Sequence, residues 1–160
     1  MPSDDAIDLR PVTPEDREFL LRLYAASRET ELAMVPWTDE MKRAFVEHQF
    51  AAQSAHYENE YEALTHEIIL WDGQPAGRVY ISRGNPEQTA ILDLNVLPEF
   101  RRRGIATSLL RQLQAEAASA GRSLRIFVET YNPARKLFPE LGFTAVSGDE
   151  ANIRFEWRAG

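Results

Sequence analysis

The stretch from Thr89 to Glu129 constrains the fold more than any other, because the spacing of its apolar residues changes twice. TAILDLNV reads as a strand that ends at Leu97-Pro98. Ile105, Leu109, Leu110, Leu113 and Ala117 then recur at helical spacing, with Gly121 as a C-terminal stop. SLRIFVE returns to strand. A strand, a helix and a strand in that order predict two strands joined by a right-handed crossover, hence a parallel pair.

Weaker signals surround this unit. IDLRPV reads as a short strand, and Thr13-Pro14-Glu15-Asp16 as a helix start with a capping hydroxyl, an early proline and acids at the positive end. The helix REFLLRLYAAS is expected to bury Phe19, Leu20, Leu23 and Tyr24. RETELAMVPW interrupts it, and Thr38 caps a second helix in which Met41, Ala44, Phe45 and His48 repeat at the helical spacing of an inner face. HEIILW, a turn at Asp72-Gly73 and GRVYIS form a predicted hairpin. Asn132-Pro133 caps a short helix ending at Gly142, followed by two strands, FTAVS and NIRFEW. The expected architecture is α/β, a mixed sheet with helices on it. The length predicts one domain over residues 1–160, with residues 1–5 as a loose tail.

Charge narrows the partners. Lys+Arg 18 against Asp+Glu 25 gives a net charge of -7, which argues against nucleic acid as the main ligand. The chain has no cysteine, so disulfides, thiolate metal sites and a cysteine nucleophile are excluded. No apolar run approaches the roughly 20 residues of a membrane span, and MPSDDAIDLR has no signal-peptide core. A cytoplasmic protein without membrane contact is expected.

Against that acidic background, residues 98–110 read PEFRRRGIATSLL. The end of a strand, a tight turn and a helix N-terminus together form an anion site, because the first helical N–H groups have no intrahelical acceptor and the dipole is positive there. Gly104 lets the backbone approach a ligand closely, and Ala106 keeps the next contact small. Arg101, Arg102 and Arg103 add charge, and screening over about 8 Å makes this local cluster outweigh the distant acids. A phosphate-bearing ligand is the reading favoured in this context; alone, the tripeptide would be a solvated surface run.

The run L-x-V-x-P-E-x-R-x-x-G-x-A, Leu94 to Ala106, resembles the acetyl-CoA motif of the GNAT superfamily of N-acetyltransferases, and V-x-x-x-N-P-A-x-x-L-F-x-x-L-G-F, Val128 to Phe143, is similar to its second half. The resemblance implies a mostly antiparallel sheet of six to seven strands in which one splayed parallel pair holds CoA. It implies that main-chain groups of Leu94 and Val96 pair with the pantetheine arm. Backbone N–H groups of Arg102, Arg103, Gly104, Ile105, Ala106 and Thr107 would cradle the pyrophosphate with help from Arg101. Asn132 would reach the arm at the splay, and Lys136 or Arg135 a phosphate. The chain departs from the pattern at Phe138, where the family has a tyrosine as general acid for the leaving thiolate. Pro139 follows and is expected to bias Phe138 away from helical geometry. Tyr131 is the nearest other phenol, either a substitute acid or a packing residue at a strand end.

Deprotonating an amine also needs a base, and Asp93 and Glu129 stand near the ends of the two parallel strands, with Glu31 a weaker candidate. A carboxylate in such a place is more often solvated or ion-paired than catalytic. Gln49, Gln53, His56, Tyr57 and Tyr61 could line an acceptor groove with Arg78 and Tyr80, although their spacing alone favours a solvated helix face. HEIIL lacks the second histidine of a zinc helix, so no metal is expected. The resemblance therefore implies acetyl transfer from acetyl-CoA to a primary amine of a small molecule or peptide, by direct attack, in a monomer or homodimer. An acyl-CoA-binding module and a regulatory protein on the same fold are the alternatives.

Overall fold

The computed structural model describes residues 7–130 and 132–160; Tyr131 and the expected tail lie outside the described residues. The sheet begins with β1 (Ile7–Pro11), β2 (Leu64–Trp71), β3 (Gln74–Asn85) and β4 (Gln88–Val96). β5 (Ser123–Glu129), β6 (Thr144–Gly148) and β7 (Asn152–Trp157) complete it. The seven strands lie in the order β1-β2-β3-β4-β5-β7-β6, antiparallel except for the β4–β5 pair. The mixed sheet and its single parallel pair match the expectation from residues 89–129.

Helices cover both faces. α4 (Ile105–Ala120) and the short α5 (Leu137–Glu140) are on one, where Ile69, Val79, Ile91, Leu109, Leu110 and Leu124 share a core. α1 (Arg17–Ser27), α2 (Glu29–Ala33) and α3 (Asp39–Glu60) precede β2, and Leu20, Leu21, Tyr24, Val46 and Phe50 pack on Ile68 of the other face. Ile68 and Ile69 point to opposite faces and both are fully buried, which is why the run IIL is continuously apolar. Asp72 (φ 50) and Gly73 (φ 79) turn β2 into β3, left-handed at both positions as a two-residue hairpin requires.

Three expectations need correction. A short helix, α2, forms where the sequence suggested only an interruption. Thr38 caps α3 as expected, its Oγ1 accepting from the Met41 N–H at 3.1 Å, but the inward face differs. Met41 is 51% exposed and Ala44 and His48 face solvent, while Val46 and Phe50 are buried. Apolar spacing misleads there because the inner face of α3 continues with polar Gln53 and Tyr57, which satisfy polar groups of the sheet. Phe45 instead packs on Trp37, with ring centroids 5.3 Å apart. Finally, Phe138 is helical despite Pro139. Pro139 lies in the first turn of α5, where an N–H has no intrahelical acceptor to lose.

Candidate active site

β4 and β5 pair only from Gln88↔Ser123 to Ile91↔Ile126 and then part. The reason is local. Opposite β4, Tyr80 of β3 pairs with Asp93 and Ile81 with Ile91, so Leu92 is an extra residue. Such a bulge bends its strand and increases the twist. It falls where the parallel pairing ends, and the backbone of Leu94 and Val96 continues with β3 on one side and without β5 on the other. Gly77 sits against this segment so closely that a Cβ would overlap the Asn95 carbonyl oxygen.

Past Val96 the chain makes one tight turn, Pro98–Phe100, and then alternates its backbone. Arg101 is extended, Arg102 has φ 63 and Gly104 φ 79. Left-handed residues next to a helix start turn successive N–H groups toward one point, a concave anion nest. Ser108 N–H donates to Gly104 O at 2.9 Å, so helical bonding starts at Gly104, and the glycine has no side chain to cap Ile105, Ala106 or Thr107. The backbone thus presents donors and positive dipole at the start of α4, in the connection that leaves β4.

The arginines behave differently from one another. Arg101 Nε donates to Val96 O at 3.3 Å, tying the loop to β4. Arg103 Nη2 donates to Glu99 O at 3.4 Å and its guanidinium lies 4.8 Å from the Trp71 ring. Arg102 forms no ion pair among the described residues and is exposed. Two of the three therefore brace the loop, which leaves Arg102 as the cation available to a ligand.

The two candidate bases stand in contrasting surroundings. Asp93 Oδ2 accepts from Arg78 Nε at 2.8 Å, and Arg78 Nη2 lies 2.7 Å from the same oxygen. Asn95 Nδ2 donates to Asp93 Oδ1 at 3.0 Å. The Arg78 side chain is 1% exposed, between the rings of Phe50 and Tyr80, and Nη2 also donates to Gln53 Oε1 at 2.6 Å. Glu129 is 41% exposed and meets Arg28 Nη1 at 3.7 Å. Arg28 also donates to Glu31 at 3.2 Å, so the α1–α2 junction is tied to the end of β5.

The residues grouped as an acceptor groove separate. Gln53, Tyr57, Arg78 and Tyr80 join a polar cluster between α3 and the sheet, in which the Tyr57 hydroxyl donates to Leu92 O at 3.1 Å. Burial raises the Tyr57 pKa, keeping it a neutral donor. His56 remains exposed, as a solvated helix face would have it. His66 stacks on Tyr80 at 3.7 Å, and burial pushes its pKa down to about 3.

On the other face, Asn132 Oδ1 accepts from the Ala134 N–H at 2.9 Å, capping the turn that follows. Lys136 is exposed, and Arg135 donates to Thr130 O at 2.7 Å. Phe138 is 5% exposed, stacked on Phe155 at 5.2 Å and edge-on to Phe143 at 5.5 Å. It is a core ring without a proton to give. Sequence reasoning misses Arg28, whose only signal is a charge just after an apolar helix. The burial of Arg78 has a clearer one, a lone arginine inside the otherwise apolar strand GRVYIS.

A family model described as Acetyltransferase (GNAT) family matches residues 19–143. No curated protein matches in sequence. Among solved structures, PaiA N-acetyltransferase from Thermoplasma acidophilum in complex with coenzyme A is similar, with 15% identity and a TM-score of 0.67 over 96% of this chain and 99% of that one. An acetyltransferase from Thermus thermophilus shares 22% identity at a TM-score of 0.67, covering 95% of this chain and 96% of that one. The ribosomal-protein-S18-alanine N-acetyltransferase from Escherichia coli shares 18% at 0.64, covering 96% of each. With a seven-stranded sheet parted after one short parallel pair, a helix joining those two strands, and a family match running from α1 to Phe143, the chain belongs to the GNAT acetyltransferase family.

Proposed function

We propose that the protein transfers an acetyl group from acetyl-CoA to a primary amine of a small molecule or peptide. The observation that carries this reading is the parting of β4 from β5 past Ile91 and Ile126, with left-handed backbone at Arg102 and Gly104 in the turn that leads from β4 into α4. Acetyl-CoA supplies an activated thioester when bound. Leu94 and Val96 offer main-chain partners to an extended amide-bearing arm. The N–H groups of Arg102 to Thr107 and the Arg102 guanidinium suit a pyrophosphate. Asn132 and Lys136, in the segment that follows β5, are proposed to reach the arm and a phosphate. With no cysteine in the sequence, the amine attacks directly.

An amine of pKa about 10.4 costs roughly 4.6 kcal/mol to neutralise at pH 7. Glu129 suits the proton acceptor, because it is accessible and its ion pair with Arg28 is long. Asp93 suits it poorly, since Arg78 and Asn95 already occupy its oxygens. Phe138 offers no acid, so Tyr131 remains the phenol proposed to return a proton. The small-molecule or peptide acceptor fits a family in which the Escherichia coli relative is named for a protein substrate.

Gly104→Val tests the cofactor half of the reading. A β-branched side chain at φ 79 is strained and projects where the anion is expected. Calorimetry should show acetyl-CoA binding lost in a variant that keeps its circular dichroism spectrum. Wild-type affinity in a folded Gly104→Val protein would place the cofactor elsewhere. Thiol release over a panel of amines tests the transfer half, and binding without release would favour the acyl-CoA-binding module that Phe138 also suits.

A further inference from the structure

The parting of β4 from β5 leaves backbone donors and acceptors of β4 without strand partners, and the ordinary tendency of such groups is to pair. Something must hold β4 on its diverging path. Helix α3 supplies it from the face opposite α4. Tyr57 donates to the carbonyl of Leu92, the bulged residue, at 3.1 Å. One residue further, Asp93 is held by Arg78, and Arg78 by Gln53 of α3 at 2.6 Å and by the ring of Phe50 at 5.1 Å. Phe50, Gln53 and Tyr57 lie on one face of α3, at spacings of three and four. That face therefore grips two consecutive residues of β4 at the point where the parallel ladder stops.

We propose that Tyr57 and the Gln53–Arg78–Asp93 chain are positioning residues that hold the acetyl-CoA slot open by fixing the bulge at Leu92. The inference rests on the acetyl-CoA reading above for its ligand, and on the strand geometry alone for its mechanism. The Leu92 carbonyl, displaced from the β3 ladder by the bulge, gains its partner from Tyr57. The Asp93 carboxylate cannot follow β4 toward β5 without abandoning a guanidinium that has almost no access to water. A charge left in that position is strongly unfavourable, so the bulge is held against closure. Asp93 acts here through the backbone it anchors and needs no contact with the reacting atoms.

Tyr57→Phe is the informative change, because it removes the hydroxyl and keeps the ring that packs on Tyr80 at 5.0 Å. The loss of one hydrogen bond should raise the acetyl-CoA Kd by about three- to tenfold. Val46→Ala is the matched control: it trims the same helix, in the apolar cluster around Phe50, without touching the bulge. It should lower Tm at least as far while leaving Kd unchanged. Hydrogen exchange on the unliganded protein reads the geometry directly. Amides of residues 92–96 should change rate several-fold in Tyr57→Phe, whereas those of α4 should not. Wild-type Kd and wild-type exchange at 92–96 in Tyr57→Phe would overturn the proposal, and so would affinity losses that merely track Tm across both variants. If wild type binds no acetyl-CoA, the cofactor reading fails, and the exchange result still decides the clamp.

Discussion

Past their last shared register, β4 and β5 carry one carboxylate each, and the two are held in opposite ways. Asp93 accepts three hydrogen bonds from Arg78 and Asn95 at 2.8–3.3 Å, and the main partner is a guanidinium sealed from water. Glu129 meets Arg28 at 3.7 Å and is 41% exposed. Side chains of the same class at similar places on neighbouring strands thus have different work. The β4 carboxylate is a strut whose oxygens are committed. The β5 carboxylate is exposed and loosely paired, which is why the proposed reading gives it the proton of the acceptor amine. Burial of the partner, rather than the carboxylate's own identity, separates a structural acid from a chemical one.

The largest effect expected from this contrast is on stability. Asp93→Ala leaves Arg78 buried without its counter-ion, which should cost about 3–5 kcal/mol. Glu129→Gln breaks only an exposed pair and should cost less than about 1 kcal/mol. Urea denaturation of both variants decides the matter. Similar midpoints would mean that the Arg78 charge is satisfied without Asp93 and that the strut is not one.

The second effect runs the other way, on the chemistry. Glu129→Gln should lower kcat/KM for the best amine by about 10²-fold or more and move the pH profile upward, with acetyl-CoA affinity unchanged. Steady-state rates from pH 6 to 10, with calorimetric binding alongside, test this. An unaltered profile would show that Glu129 is an ion-paired surface residue and that the acceptor loses its proton elsewhere.

How much of this contrast the sequence exposes follows from what each side is made of. The β4–α4 turn works through backbone, and backbone conformation leaves strong residue signals: Pro98 ends the strand, Gly104 takes φ 79, and helical spacing starts at Ile105. Those are legible, as is the parallel pair. The clamp works through side chains on elements far apart in the chain, Tyr57 with Leu92 and Gln53 with Arg78. No local period encodes such pairs. On α3 the polar members of the inner face even erase the amphipathic pattern, so apolar spacing points Met41 and His48 inward in place of Val46 and Phe50. Asp93 and Glu129 are both legible as acids near strand ends, but only the fold shows which of them faces a buried guanidinium.

The smallest effect concerns the same buried side and depends on pH. His66 lies in the polar layer beneath α3, stacked on Tyr80 at 3.7 Å. Burial, reinforced by the Arg78 charge and opposed by Asp16, pushes its pKa down to about 3, whereas an unfolded chain has a histidine near 6.5. Between those values the unfolded chain binds a proton that the native chain does not, so stability rises with pH across the window. The contribution is fully present above about pH 6.5 and is lost progressively as pH falls toward 3. Asp16, which Arg10 hydrogen-bonds and holds at about 2, cannot mimic this above about pH 4.5, because it is ionised in both states there. Lowering the pH from about 7.5 to about 5.5 should therefore cost roughly 1 kcal/mol, read as a fall in the urea midpoint. His66→Phe keeps an aromatic ring on Tyr80 and removes the titration, so its midpoint should change less over the same interval. An equal fall in both proteins would place the titrating group elsewhere. If the drop is absent from wild type as well, His66 exchanges protons freely in the native state, and the layer that anchors β4 is wetter than its contacts indicate.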